Sequence, residues 1–286
     1  MDSIKIKARA KINLGLDVLG RRDNGYHDVR MVMQTVGLYD SLTMKRIDGE
    51  DIVIRSNLSF LPVNENNLIY KAIRLMKDNY KLDGGVDVDL VKFIPVAAGM
   101  AGGSSDAASA IYGMNKLYDL KLSVEDMMKL GVNIGADVPF CIMRRTALAE
   151  GIGEKLTRLS PMPDCSIVVA KPAINVSTKL VYEKLDSTDI SRHPDIDGII
   201  EALDRHNINL LAKRMGNVLE DVTIPTYPVI DSIKQDMLER GAINAMMSGS
   251  GPTVFGIFDN EADAYACRDY LKDKGEAKQT FVTENF

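Results

Sequence analysis

Apolar residues recur at every second position at Ile4, Ile6, Ala8, Ala10 and Ile12, with Lys5, Lys7, Arg9 and Lys11 between them. That period predicts a half-buried strand with one basic face. Residues 86–93 alternate in the same way and predict a second strand. Between the two, Leu68, Ala72, Leu75 and Met76 fall on a helical stripe, with Asn66 or Asn67 placed to cap it. Ala107, Ala108, Ile111, Met114 and Leu117 predict a further helix. Ser123 and Asp126 form a near capping box that opens the next one. Further on, residues 167–170 read as a buried strand, followed by mostly helical segments through Ile233 and Met237. A strand at 254–258, a helix at 262–271 and a short strand at 280–282 complete the pattern. Strands interleave with helices without a regular βαβ period or an internal repeat. The expectation is an α+β fold in two lobes, 1–160 and 161–286, with Pro161, Pro163 and Pro172 bracketing the boundary.

Composition narrows the function. The chain has 286 residues, 45% hydrophobic and 26% charged, which fits a globular protein and excludes disorder or a collagen-like rod. A net charge of −5 argues against nucleic acid as a partner, since that needs a basic face to displace phosphate counterions. It still allows a small basic pocket for a phosphorylated metabolite. No run approaches the roughly 20 apolar residues that span a bilayer, and the N-terminus shows no signal-peptide core. Cys141, Cys165 and Cys267 form no Cys-x-x-Cys pair, so the expectation is a reduced, cytoplasmic protein with no membrane partner. The only histidines, His27, His193 and His206, lack the His-Glu-x-x-His pattern of a zinc hydrolase.

The chemistry concentrates in one segment: Pro95, Val96, Ala97, Ala98, Gly99, Met100, Ala101, Gly102, Gly103, Ser104 and Ser105. It runs from a strand end into a helix expected to start at Ser104 or Ser105. Glycines let a backbone approach a ligand closely, and the first amides of a helix are unpaired donors at the positive end of its dipole. Together these features suit a phosphate. No Gly-Lys-Ser or Gly-Lys-Thr occurs, nor do His-Arg-Asp and Asp-Phe-Gly, so neither a Walker loop nor a protein kinase is indicated. No serine has glycines at the offsets of a hydrolase elbow.

This segment resembles the phosphate loop of the GHMP kinases, the family of galactokinase, homoserine kinase and mevalonate kinase. Residues 8–14, the turn Asn24, Gly25, Tyr26 and His27, the run Gly135, Ala136, Asp137, Val138 and Pro139, and residues 248–253 extend the resemblance over nearly the whole chain. They narrow it to members whose acceptor is 4-diphosphocytidyl-2-C-methyl-D-erythritol. The resemblance implies an ATP-binding N-terminal lobe and a ferredoxin-like C-terminal lobe. It also implies ATP and Mg²⁺ as cofactors, and phosphorylation of the acceptor's 2-hydroxyl in non-mevalonate isoprenoid synthesis, by a monomer or homodimer. A mevalonate-type or homoserine-type kinase is the alternative within the family.

Several roles follow from the resemblance alone. By spacing, Asp137 is a turn or helix cap; the resemblance makes it the catalytic base. Lys11 would pass for surface charge, and becomes the stabiliser of developing charge. Asn13 becomes an acceptor contact. Tyr26 and His27 read as a polar surface turn; in the family these positions stack on cytosine and hydrogen-bond it, with Tyr182 closing the sandwich. Asn67 and Lys92, otherwise a helix cap and a strand-edge charge, become nucleotide contacts. Gly249 and Ser250, otherwise part of a hairpin connection, become a wall beside the glycine loop. Ala97, Ala98 and Ala101 are compatible with the loop if their φ stays negative. Asp106 stands where the family has Asn, facing either a metal or solvent.

Overall fold

The structure, a computed structural model, describes residues 2–188, 190 and 193–286. The N-terminal alternation becomes β1 (Ser3–Arg21), which runs well past the predicted end at Ile12. Exposed and buried positions alternate up to Ala10, and from there to Val18 every residue is buried. The turn after it leads into β2 (His27–Ile47), a 21-residue strand that no alternation predicted, because long stretches are buried on both faces. Next come β3 (Ile52–Ser56), α1 (Leu68–Tyr80), β4 (Gly85–Val91), α2 (Gly102–Leu117), α3 (Val124–Val132) and α4 (Val138–Met143). The chain continues through β5 (Thr146–Gly151), β6 (Lys155–Arg158), β7 (Ser166–Pro172), α5 (Thr178–Leu185), α6 (Ile196–Asp204) and α7 (Ile208–Arg214). It ends with β8 (Gly216–Asn217), α8 (Glu220–Thr226), α9 (Val229–Glu239), β9 (Asn244–Met247), β10 (Val254–Phe258), α10 (Glu261–Lys274) and β11 (Ala277–Glu284).

Two compact units interleave along the chain. One comprises residues up to Ala10, Leu38–Val96 and Ala101–Arg144; the other comprises Lys11–Gly37, Ala97–Met100 and Arg145–Phe286. Because β1 and β2 each start in one unit and continue in the other, the contacts do not part at the expected residue 160. Pro172 ends a buried strand and does not mark a boundary.

In the first unit, β4 lies antiparallel to β2, with Ser41 opposite Val91 and Ile47 opposite Gly85, and β3 pairs with β4 in parallel. Helix α2 packs flat on this sheet: a Cβ at Gly113 would lie 2.3 Å from Met44 Sδ and 3.1 Å from Ile6 Cδ1. The predicted stripe of α2 is buried along its length, and the capping box that starts α3 forms at the surface between Ser123 and Asp126. The Asn67 side chain accepts from the Ile69 amide at 2.8 Å and caps α1, an arrangement worth about 0.5–2 kcal/mol.

In the second unit, β1 pairs in parallel with β8, and β2 pairs with β5, Val29 standing opposite Gly151. A separate antiparallel sheet has the order β11-β7-β10-β9. A strand, helices, two strands, a helix and a strand along the chain, with the last strand beside the first in the sheet, make the ferredoxin-like arrangement. Its core holds the fully buried Phe255 and Phe258, with Met237 of α9 and Leu271 of α10.

Candidate active site

The glycine loop turns between β4 and α2 through three positive φ angles: Ala97 at 51°, Gly99 at 72° and Ala101 at 53°. Ala97 and Ala101 therefore do not keep the negative φ expected of them, whereas Ala98 does. Alanine accepts the left-handed basin at a cost of about 1–2 kcal/mol, and the loop's anchors hold it there. The anchor is clearest at Gly99, where a Cβ would lie 2.0 Å from the Ser248 carbonyl oxygen. That oxygen approach leaves no room for any side chain at position 99.

Helix α2 begins at Gly102, earlier than the serine start predicted, and Ala101 occupies its cap position without a capping side chain. The amides of Gly102, Gly103 and Ser104 thus lie in a first turn that no side chain caps, at the positive end of a 16-residue helix. This suits an anionic phosphate. Ser105 is buried, its hydroxyl donating to the Arg9 carbonyl at 2.6 Å, so it fastens the loop to β1.

Around Gly99 the second unit gathers several expected residues. Lys11 Nζ donates to Asn13 Oδ1 at 2.7 Å and to the Gly99 carbonyl at 3.1 Å, and Ser248 Oγ donates to the same carbonyl at 3.0 Å. The Lys11 amide donates to the Met100 carbonyl at 3.2 Å. Lys11 and Asn13 are both buried, so the basic face predicted for β1 ends in an ammonium fixed within the fold. The turn carrying Gly249 and Ser250 is held by Asn217, whose Nδ2 donates to the carbonyls of Met247 and Gly249 at 2.9 and 2.8 Å. Nothing in the sequence around Asn217 signals this role.

A cavity of about 640 Å³ lies in the same unit, within the size range of small-molecule sites, lined by Tyr26, His27, Thr178, Tyr182 and Asp186 among others. The rings of His27 and Tyr182 stand 4.8 Å apart at 41°, while Tyr26 is 60% exposed. Tyr26, His27 and Tyr182, expected together, are together. Thr178 Oγ1 and Ser250 Oγ share a hydrogen bond of 2.8 Å, which joins this cavity to the cluster around Gly99.

Three other expected residues belong to the first unit. Asp137 is half-buried at the cap position of α4, yet its side chain makes no capping hydrogen bond. Asn67 is engaged as the cap of α1, with its Nδ2 donating to the Pro62 carbonyl at 2.7 Å. Lys92 is buried, and its ammonium is bound by the carboxylates of Asp40 and Asp106, the latter at 2.7 Å. Asp40 Oδ1 also accepts from the amides of Phe93 and Ile94 at 2.6 and 2.8 Å. A Cβ at Gly102 would lie 3.2 Å from Lys92 Nζ, so this ion cluster sits directly beneath the start of α2. Asp106 faces neither solvent nor an open site. Burial pushes its carboxyl up to about 8 despite the pull of Lys92, and Oδ1 is buried without a partner among the described residues. Burial works against the Lys92 charge, but the two carboxylates outweigh it and raise its pKa.

Among the described residues no group of three or more His, Cys, Asp or Glu side chains is gathered to hold a metal. Among the same residues no helix is long and apolar enough to cross a membrane.

Comparison with known proteins agrees with this geometry. Residues 67–145 match the model of the GHMP kinases N-terminal domain, and residues 199–277 that of the GHMP kinases C-terminal domain. The 4-diphosphocytidyl-2-C-methyl-D-erythritol kinase of Lachnospira eligens is 71% identical over 286 residues, covering 100% of this chain and 99% of that protein. The enzyme of the same name from Lachnoclostridium phytofermentans is 53% identical, covering 100% and 98%. A crystal structure of a 4-(cytidine 5'-diphospho)-2C-methyl-D-erythritol kinase superposes with a TM-score of 0.85 at 30% identity, covering 99% of both chains. With both of its domain models matched and relatives this close over its full length, the chain belongs to the GHMP kinase family.

Proposed function

We propose that the protein transfers the γ-phosphoryl group of ATP to the 2-hydroxyl of 4-diphosphocytidyl-2-C-methyl-D-erythritol, a step of non-mevalonate isoprenoid synthesis. The observation that carries this reading is the aromatic cavity of Tyr26, His27 and Tyr182, hydrogen-bonded through Thr178 to the turn beside Gly99. A homoserine or mevalonate acceptor has no nucleobase for such a cavity, whereas a cytidyl group stacks between aromatic rings. None of Cys141, Cys165 and Cys267 forms a disulfide, which suits a cytoplasmic enzyme.

Phosphoryl transfer asks a protein for positioning and charge neutralisation. Mg²⁺ on the phosphates of ATP would neutralise part of their charge. The uncapped amides of Gly102, Gly103 and Ser104 bind phosphate oxygens, and Gly249 and Ser250 form a wall beside Gly99. Asp137 accepts the proton of the 2-hydroxyl as its oxygen bonds to the γ-phosphorus, and the bond to the β-phosphate oxygen breaks to release ADP. Lys11, its ammonium fixed by Asn13 and Gly99, offsets the charge that develops on the transferring group.

ADP release measured over a panel of acceptors tests the assignment. Turnover is expected with the cytidyl acceptor and not with mevalonate or homoserine; the reverse outcome overturns it. Asp137→Asn is expected to lower kcat by about 10²–10⁴-fold with KM for ATP little changed. Unchanged turnover would remove Asp137 from the role of base.

A further inference from the structure

His27 does not stand alone in the cavity. Its Nε2 lies 2.7 Å from Asp186 Oδ1, and Asp186 Oδ2 lies 3.2 Å from Arg21 Nη1. The imidazole is only 9% exposed, and the Tyr182 ring packs against it. A carboxylate accepts hydrogen bonds and does not donate them, so the hydrogen in this contact sits on Nε2. Among the described residues no other group bonds the ring. Nδ1 is then the nitrogen left to a ligand, and in a neutral imidazole it carries a bare lone pair. Arg21 holds the other carboxylate oxygen, so Asp186 meets the ring in a fixed orientation.

We infer that Asp186, braced by Arg21, is a positioning residue that fixes His27 as a hydrogen-bond acceptor and so makes the cavity select a pyrimidine with an amino group at C4 over one with a carbonyl there. Cytosine presents an N4 amino donor at that position, and a 4-carbonyl pyrimidine presents an acceptor. An acceptor facing Nδ1 leaves two lone pairs opposed in a half-enclosed site, and sites built around a hydrogen bond reject analogues that cannot make it. The family resemblance of the Tyr-His turn gives the cytosine contact but not what fixes the tautomer of His27; that comes from a carboxylate at the C-terminal cap of α5, 159 positions away in the chain. The inference rests on the reading of this cavity as a nucleobase pocket.

The test is calorimetric binding of CDP and UDP to the full-length protein, with a non-hydrolysable ATP analogue saturating the other nucleotide site. The wild type is expected to prefer CDP by about 10-fold or more. In Asp186→Asn, whose amide can either accept from or donate to Nε2, the preference is expected to fall to about 3-fold or less, with UDP binding gained as CDP binding weakens. A bracing role alone would weaken both ligands equally and leave the ratio at its wild-type value, and that result overturns the inference. If the wild type binds neither nucleotide, the nucleobase reading of the cavity fails instead. Asp186→Ala, with thermal melting as the fold control, gives a second route: it too should lose the preference, and a retained preference counts against the proposal.

Discussion

Residues 95–105 are consecutive in the chain and present mostly backbone: uncapped amides, a carbonyl at Gly99 and three left-handed φ angles. The cavity of Tyr26, His27, Tyr182 and Asp186 draws on two segments 159 positions apart and presents side chains. A backbone site is held by close approach, so it tolerates change poorly and distinguishes ligands by charge and reach. A side-chain site is held by packing and hydrogen bonds, so each residue can be altered alone and each alteration changes which ligand fits. The difference explains why the loop marks a broad family, whereas a cavity of the proposed kind would narrow the choice to one acceptor.

The harshest way to break the loop is Gly99→Ala. The new methyl would meet the Ser248 carbonyl oxygen at 2.0 Å and require a left-handed φ. We expect kcat/KM to fall by at least about 100-fold for every acceptor, with a lower Tm, because small displacements of reacting groups are this costly. A loss confined to one acceptor would show that loop and cavity are not independent. Tyr182→Ala tests the other side. It is expected to raise KM for the cytidyl acceptor about 10–100-fold and leave KM for ATP unchanged, which steady-state kinetics would separate. A parallel rise in both KM values would end the contrast.

The smallest effect concerns the ion cluster under α2. Folding raises the proton affinity of Asp106, so the folded protein keeps a proton that the unfolded chain releases between the ordinary carboxylate range and about 8. Stability from this group is full below that window and is lost as pH rises through it. Asp106→Asn removes the titration, and its Tm is expected to fall less steeply across the window than that of the wild type, by about 2–4 °C for each 1 kcal/mol involved. Parallel curves would show that the carboxyl does not titrate there.

The same contrast governs what could be read from the residues alone. The glycine loop, the stripe of α2 and the capping box of α3 are local patterns, and each is where the spacing put it. Strand β2 escaped because burial on both faces erases a period of two. Asn217, Asp186 and Asp40 escaped for a different reason: each is an ordinary polar residue until a distant segment arrives to meet it. Of these only Asp40 left a trace, as an acid inside an otherwise apolar run. Helix α2 starts ahead of its serines because Ala101, and not the usual serine, takes the cap position and leaves it unfilled.

The interleaving of the two units has a consequence for synthesis. Strand residues 12–18 and 29–34 leave the ribosome early, yet their partners on β5 and β8 lie at 146–151 and 216–217. Strands β1 and β2 can pair with each other early, but buried side chains such as Ile12, Leu14, Val32 and Met33 must still wait, incompletely covered, until most of the polypeptide has been made. No single cut yields two autonomous pieces, since the chain passes between the units five times, after residues 10, 37, 96, 100 and 144. A nascent chain stalled before residue 145 is expected to be a client of chaperones, and evolution could lengthen this protein at its surface loops far more readily than it could exchange one unit for another.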